Sequence, residues 1–470
     1  MFFKSYFDEE LAQMSYMIGC QKTGEAIVID PARDLSPYYE TAKKEGFHLA
    51  AAAETHIHAD FLSGARELAN TEKDLKLYLS DEGDDDWKYQ YLHEINHQLV
   101  KDGDEIYVGN VRLDVIHTPG HTPESLSFLL TDEGGGSSVP MGIFTGDFVF
   151  VGDVGRPDLL EKSAGAEGTA SKGAADMFQS VQRFKELPDY VQVWPGHGAG
   201  SACGKSLGAV PSSTIGYEKE NNNWALKHTD EKAFTEELLD GQPEPPKYFS
   251  MMKKLNKEGP SIEKGRDVEG ISVSDVDRYI SDEYIVVDTR PSSEFSNGHL
   301  KGTINIPYNR SFTNWAGWLI DYDQKIVVIT SKETIPAIKR SLESIGLDDL
   351  IGYVDETEIN GYGGLETYAS ITAEELENKF RGHEDYVIID VRNDSEWDDD
   401  HIEDAQHIML GKLKESINDV PSNKTPIVHC QSGMRSAIAA SLLQAYGYKD
   451  VLNLKGGFSA WKEQKGKVKS

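Results

Sequence analysis

Thr55-His56-Ile57-His58-Ala59-Asp60-Phe61 follows the strand-like run His48–Ala53. Two imidazoles and a carboxylate stand within five residues, where an apolar run stops. Three more loops of the same kind follow. Thr118-Pro119-Gly120-His121 comes after Val111–His117, Thr145-Gly146-Asp147 after Met141–Phe144, and Pro195-Gly196-His197-Gly198 after Val191–Trp194. Each run ends in His or Asp on a loop shaped by Gly or Pro. A metal site needs donors of this type converging from strand ends onto one point. One such histidine alone is ordinarily a surface or hydrogen-bonded residue; four loops in this order are read as a set.

The second half contains a repeat. Tyr284-Ile285-Val286-Val287-Asp288-Thr289-Arg290 matches Tyr386-Val387-Ile388-Ile389-Asp390-Val391-Arg392, and Glu294 and His299 match Glu396 and His401. The constant offset of 102 residues is domain-sized, so two copies of one module are expected. Helix signals at Ser272–Asp275 and Thr372–Glu375 open the copies, the second as a capping box. Strand runs (Ile285–Val287, Val387–Ile389, Lys325–Ile329, Pro426–His429) alternate with helical stretches (Ile335–Ile345, Ser436–Ala445). That alternation predicts parallel sheets covered by helices on both faces. The segment Gly241–Gly259, with its prolines and charges, or the residues just after it, reads as the linker. The resulting division is 1–260, 261–368 and 369–470.

Cys430-Gln431-Ser432-Gly433-Met434-Arg435 sits between the strand Pro426–His429 and an alanine-rich helix. A cysteine there meets aligned backbone N–H groups and the positive end of the helix dipole, which stabilise a thiolate and cradle an anion. Arg435 adds a fixed charge. Four residues separate Cys430 from Arg435, one fewer than in cysteine phosphatases, and the tighter loop suits a terminal sulfur rather than a phosphoryl group. The middle copy has no cysteine. Its loop reads Thr330-Ser331-Lys332-Glu333-Thr334-Ile335-Pro336 and cannot form a persulfide.

The chain has 470 residues and net charge −32, which disfavours broad binding to nucleic acid or anionic membranes. No apolar run is long enough to span a bilayer. The acids Asp8, Glu9 and Glu10 are unlike a secretory signal. Three widely spaced cysteines, Cys20, Cys203 and Cys430, argue against a disulfide framework and for a reduced cytoplasmic location. Cys20 reads as buried and structural. Cys203, six residues past His197, is open between a pocket role and packing.

The histidine and aspartate loops resemble the metallo-β-lactamase fold, a four-layer α/β/β/α sandwich, and within it the glyoxalase II and persulfide dioxygenase branch. Glyoxalase II relatives read His-x-His-x-Asp-His and hold two metals; here the last position is Phe61, which donates nothing, so one metal is expected. The resemblance to persulfide dioxygenases implies one iron(II) per chain, in preference to zinc, on His56, His121 and Asp147. That two-imidazole, one-carboxylate set leaves positions open. His58, Asp60 and His197 then belong to the surrounding shell or pocket. Gly152-Asp153-Val154-Gly155-Arg156-Pro157-Asp158 also resembles this branch, with Arg156 and Asp158 as supporting residues or, alternatively, a plain surface ion pair.

The Cys430 module is similar to rhodanese sulfurtransferases over about a hundred residues, including Asp390-Val391-Arg392 and Leu454-Lys455-Gly456-Gly457-Phe458-Ser459-Ala460-Trp461. The middle copy resembles a pseudo-rhodanese, a spacer or docking surface. The whole order resembles persulfide dioxygenase–rhodanese fusions of bacterial sulfide detoxification. That implies O₂-dependent oxidation of a small-molecule persulfide (of glutathione, coenzyme A or bacillithiol type) to sulfite. Cys430 and Arg435 would then carry sulfur to or from thiosulfate. A homo-oligomer is expected. A glyoxalase II-like thioester hydrolase and a non-enzymatic sulfur-relay scaffold are the other readings.

Overall fold

A computed structural model describes the chain except residues 165–167, 202, 206, 243, 263–266 and 469–470. It forms two compact units, residues 1–263 with 343–346, and 264–342 with 347–470.

The first unit is built on two six-stranded sheets. One has the strand order Phe2–Asp8, Gln13–Cys20, Glu25–Ile29, His48–Ala53, Lys76–Ser80, His97–Val100. The first three strands are antiparallel; the pairings from Glu25–Ile29 onward are parallel. The other runs Ser213–Thr214, Gln192–Pro195, Gly142–Gly146, Leu126–Asp132, Val111–His117, Glu105–Val108, antiparallel apart from Gly142–Gly146 with Gln192–Pro195. Side-chain alternation along a strand assigns the faces. Ile18, Ile27, Ala53, Leu113, Val115, Phe128 and Phe144 pack between the sheets. Met17, Val28 and Ala52 point the other way, onto Tyr38, Ala42 and Leu68 of the helices Ser36–Glu45 and Ala65–Thr71. Ile143 and Val193 face Met177, Val181 and Phe234 of the helices Thr169–Phe184 and Glu231–Leu239. The result is the expected α/β/β/α sandwich, and the four donor loops leave it at strand ends.

The segment expected to be a linker is different. Phe249–Glu258 is a helix whose Phe249, Met252 and Asn256 are buried. The Asn256 carboxamide donates to the carbonyls of His58 and Phe61, both at 2.8 Å, and accepts from the Ser63 N–H at 2.9 Å. It clamps the donor loop. The prolines at 245 and 246 precede the helix rather than interrupting it. The alternative placement of the linker, just after this segment, falls partly on residues 263–266, outside the described residues.

The second unit holds two five-stranded, all-parallel sheets. Their orders are Glu269–Gly270, Leu350–Asp355, Ile326–Thr330, Ile285–Asp288, Ile304–Asn305, and Ala369–Ile371, Leu452–Leu454, Thr425–His429, Tyr386–Asp390, Ala405–His407. The Thr372 capping box is present. Helix Met434–Ala445, which follows the cysteine loop, is buried nearly all round. Its Ser441 hydroxyl accepts from the Asn305 N–H of the middle module at 2.9 Å. Among the described residues, no helix is long and apolar enough to cross a membrane.

Candidate functional site

His56, His121 and Asp147 converge, one donor atom from each lying within 4.8 Å of the others. All three are buried. Each imidazole is held through Nδ1. The Thr55 hydroxyl donates to Asp30 Oδ2 at 2.8 Å and so accepts from His56 Nδ1–H at 2.9 Å. His121 Nδ1–H donates to the Arg156 carbonyl at 3.0 Å, and His197 Nδ1–H to Asp147 Oδ1 at 2.7 Å. For His56 and His121 these bonds turn bare Nε2 lone pairs inward, the tautomer that ligation requires.

His56 Nε2 and Asp147 Oδ2 are buried without a hydrogen-bond partner among the described residues. Burial of such atoms is costly unless something satisfies them. A divalent cation does so, and the donor set fits one. Burial and the neighbouring His58 push the His56 imidazole well below its ordinary range; burial also lowers His121, against the pull of Asp147. Both rings are therefore neutral, as ligands must be. Burial pushes the Asp147 carboxyl up, but the surrounding histidines hold it far below its usual range.

His58 goes elsewhere. Its Nε2 lies 2.9 Å from Glu54 Oε2 and 3.2 Å from Asp30 Oδ1 in a second buried cluster. Burial opposes its protonation, but these two carboxylates raise its pKa well above the ordinary value. The Ser63 hydroxyl donates to Glu54 in the same cluster. Asp30 joins the clusters, because it also receives the Thr55 N–H at 2.7 Å. It adopts φ 49°, a left-handed conformation rare for a residue with a Cβ.

Asp60, His197 and Cys203 form a third buried cluster beside the first. Burial pulls the His197 imidazole down, yet Asp147 and Asp60 push it up to about 10. Burial, Asp147 and Asp60 together push the Cys203 thiol well up. Arg156 and Asp158 form a buried bidentate pair, with two bonds of 2.7 Å, so the surface alternative is excluded. The pair fixes the backbone whose carbonyl holds His121. At Gly196 any Cβ would stand 2.6 Å from Asp147 Oδ1, so only glycine fits.

Sequence reading missed several supports. Glu124, three residues past His121, accepts the Ile57 N–H at 2.7 Å and centres the His56–His58 loop. Burial pushes its carboxyl up to about 7. Asp30 directly follows the strand Glu25–Ile29, yet its reach to Thr55 and His58 has no local signal.

In the last module Cys430 is buried at the foot of helix Met434–Ala445. The Gly433 N–H donates to its Sγ at 3.1 Å and the Ser436 hydroxyl at 3.6 Å. Gly457, at φ 56°, lies so close that a Cβ would collide with the Cys430 carbonyl. Arg435 makes a bidentate pair with Glu396 at 2.6 and 2.7 Å. Burial lowers the Arg435 pKa, but Glu396 and Cys430 beside it raise it overall. Glu396 was visible only as a matched position of the repeat.

The family profile of the metallo-beta-lactamase superfamily matches residues 8–197, and that of the rhodanese-like domain matches 272–356 and 372–464. A solved structure of a metallo-beta-lactamase from Staphylococcus aureus subsp. aureus COL is 47% identical, covers 75% of this chain and 98% of its own, and superposes with a TM-score of 0.68. The hydroxyacylglutathione hydrolase of Haemophilus ducreyi is 30% identical over 185 residues, 39% of this chain and 66% of that one. A probable polyketide biosynthesis zinc-dependent hydrolase of Bacillus subtilis is 28% identical over 213 residues, 45% of this chain and 84% of that one.

Proposed function

This chain belongs to the metallo-beta-lactamase superfamily and carries two rhodanese-like domains behind that fold, and on that premise we propose that it is a persulfide dioxygenase coupled to a sulfurtransferase. The observation that carries the reading is Phe61, which is buried where a further imidazole is needed for a glyoxalase II-like pair of metals. It leaves His56, His121 and Asp147 as a set of two imidazoles and one carboxylate. Iron(II) held there supplies the one-electron chemistry that ground-state O₂ needs to oxidise a sulfur atom.

The protein's own groups do the rest. Asp30, through Thr55, fixes His56; the Arg156 carbonyl fixes His121; His197 fixes Asp147 and leaves its second oxygen free. Burial of all three donors excludes bulk water from the reacting sulfur. The net reaction is RSSH + O₂ + H₂O → RSH + SO₃²⁻ + 2 H⁺, with RSSH a persulfide of glutathione, coenzyme A or bacillithiol type. At the second centre the Cys430 thiolate attacks the outer sulfur of RSSH, breaking its S–S bond; the persulfide proton leaves with RS⁻ as RSH, and Cys430 is left as the persulfide anion Cys–S–S⁻. Sulfite then attacks that outer sulfur, giving thiosulfate and restoring the thiolate. The Gly433 N–H supports the sulfur anion at each stage, and Glu396 keeps Arg435 beside it.

O₂ uptake by iron-loaded protein tests this, with glutathione persulfide as substrate and glutathione as control. Uptake that requires the persulfide is expected. A second reading, hydrolysis of a glutathione-type thioester, is favoured by the likeness to the Haemophilus ducreyi hydrolase. Absence of uptake, with turnover of an acylglutathione instead, would establish that reading.

A further inference from the structure

We infer that the turn Glu343–Gly346 is a positioning element of the metal site: its main-chain carbonyls fix the loop that carries His56, and so set how tightly His56, His121 and Asp147 hold a cation. The inference rests on reading those three side chains as a metal site, and not on what is oxidised there.

The first compact unit takes in this turn from far down the chain. The reason lies in the donor loop. Residues 55–63 are buried apart from Ala59, and residues 55–62 belong to no strand or helix. Buried main-chain groups outside regular structure need partners from elsewhere. The Thr55 N–H donates to Asp30 Oδ1 and the Ile57 N–H to Glu124 Oε1, both at 2.7 Å. Asn256 takes the His58 and Phe61 carbonyls and the Ser63 N–H. The Leu62 N–H donates to the Ser344 carbonyl at 2.8 Å.

The same turn holds the segment beside the loop. Ala32 and Ser63 form an isolated bridge, and the Gly64 N–H donates to the Pro31 carbonyl at 2.9 Å. Arg33 Nη1 donates to the Glu343 carbonyl at 2.7 Å. Asp30, which fixes His56 through Thr55, stands three residues before Arg33. The two carbonyls of the turn therefore tie together residues 30–33 and 55–63, the segments whose contact orients His56.

Gly346 shows how closely the turn is seated. Its φ is 74°, and a Cβ there would stand 2.9 Å from Leu255 Cδ1, 3.1 Å from Met252 Cε and 3.4 Å from Leu62 Cδ2. Glycine meets both demands. Met252 and Leu255 share the helix Phe249–Glu258 with Asn256. A side chain at position 346 would press on the donor loop and on the helix that clamps it.

The acceptors are main-chain atoms, so the test acts on what seats them. Full-length Arg33→Met, Arg33→Lys and Gly346→Val are compared with wild type in two ways. One is hydrogen exchange at the Leu62 amide. The other is cobalt(II) titration of the metal-free protein, followed by the visible d–d bands that report ligand geometry. In Arg33→Met and Gly346→Val, Leu62 is expected to exchange about tenfold faster and cobalt to bind about tenfold more weakly with altered bands, the size of effect seen when a partner of metal ligands is lost. Arg33→Lys, which keeps a donor, is expected to match wild type. If Gly346→Val does not fold, the Arg33 pair decides alone. A turn that only stabilises the fold would lower the urea midpoint and leave the bands of bound cobalt unchanged, and that result overturns the inference. Unchanged exchange at Leu62 in folded Arg33→Met overturns it too. Wild-type protein that binds no cobalt would overturn the metal reading, and the inference with it. Neither readout depends on O₂ uptake.

Discussion

In the middle module Arg290 Nε meets Asp288 Oδ1 at 3.0 Å, and in the last module Arg392 Nε meets Asp390 Oδ1 at 3.0 Å. Each guanidinium then reaches a main-chain carbonyl, Gly298 at 3.0 Å and Asp400 at 2.7 Å. His299 stacks on Phe295 and His401 on Trp397, both with centroids 3.8 Å apart. The frames are the same to within a few tenths of an ångström. The difference lies in one loop, where by strand register Ile329 stands for His429 and Thr330 for Cys430, and Ile335 occupies the spacing of Arg435. The frame is a folding requirement and was kept in both copies; the chemistry needs a thiol, a guanidinium and its carboxylate together, and only one copy has them.

The largest expected effect tests the shared frame. Arg392→Met leaves the Asp390 carboxylate buried and unpaired, which costs about 3–5 kcal/mol. Arg290→Met is expected to cost the same, read from urea midpoints. A large loss at one position and none at the other would break the comparison.

Next comes His429, a titrating group that the middle copy lacks. Burial, with Arg392 and against Asp390, pushes His429 down to about 4. The folded chain therefore binds this proton only near pH 4, whereas the unfolded chain binds it near pH 6.5. Above pH 6.5 His429 has no effect. Between pH 6.5 and 4 the unfolded state holds more protons, so stability falls as pH falls, by about 3 kcal/mol in all. His429→Ile, which installs the middle module's residue, is expected to remove that contribution, measured as the difference in unfolding free energy at pH 7 and pH 4.5.

A smaller effect is expected from Glu396→Gln. The side chain stays, but the ionic fork on Arg435 weakens, and sulfur transfer should fall about tenfold, or about 1.4 kcal/mol in barrier. Thr330→Cys should do least: with Ile335 in place of the arginine, the middle module gains no measurable transfer in a thiosulfate assay. Transfer by that variant would show that the thiol alone suffices.

Much of this was legible in the chain. The strand runs His48–Ala53 and Val111–His117 match the observed strands at both ends, because apolar runs closed by His, Gly or Pro leave little latitude. His56, His121 and Asp147 lie together as their strand ends implied. What was not legible depends on distant partners. His58 reads like His56 in sequence, and only Glu54 and Asp30 draw it into a separate cluster. Glu396 has no mark of its pairing with Arg435, which lies 39 residues on. The helix Phe249–Glu258 was overlooked although Phe249, Met252 and Asn256 follow helical spacing, because the prolines before it were read as the end of structure. Cys203 gave no sign that its sulfur joins Asp60 and His197, since loop closure sets that meeting.

The account rests on two centres that work in sequence and can be separated. Cys430→Ser with glutathione persulfide, followed for O₂ and for sulfur products together, tests it most directly. O₂ uptake near the wild-type rate is predicted, with sulfite accumulating in place of thiosulfate. Loss of both O₂ uptake and thiosulfate would contradict separable centres, and undiminished thiosulfate formation would contradict the role of Cys430.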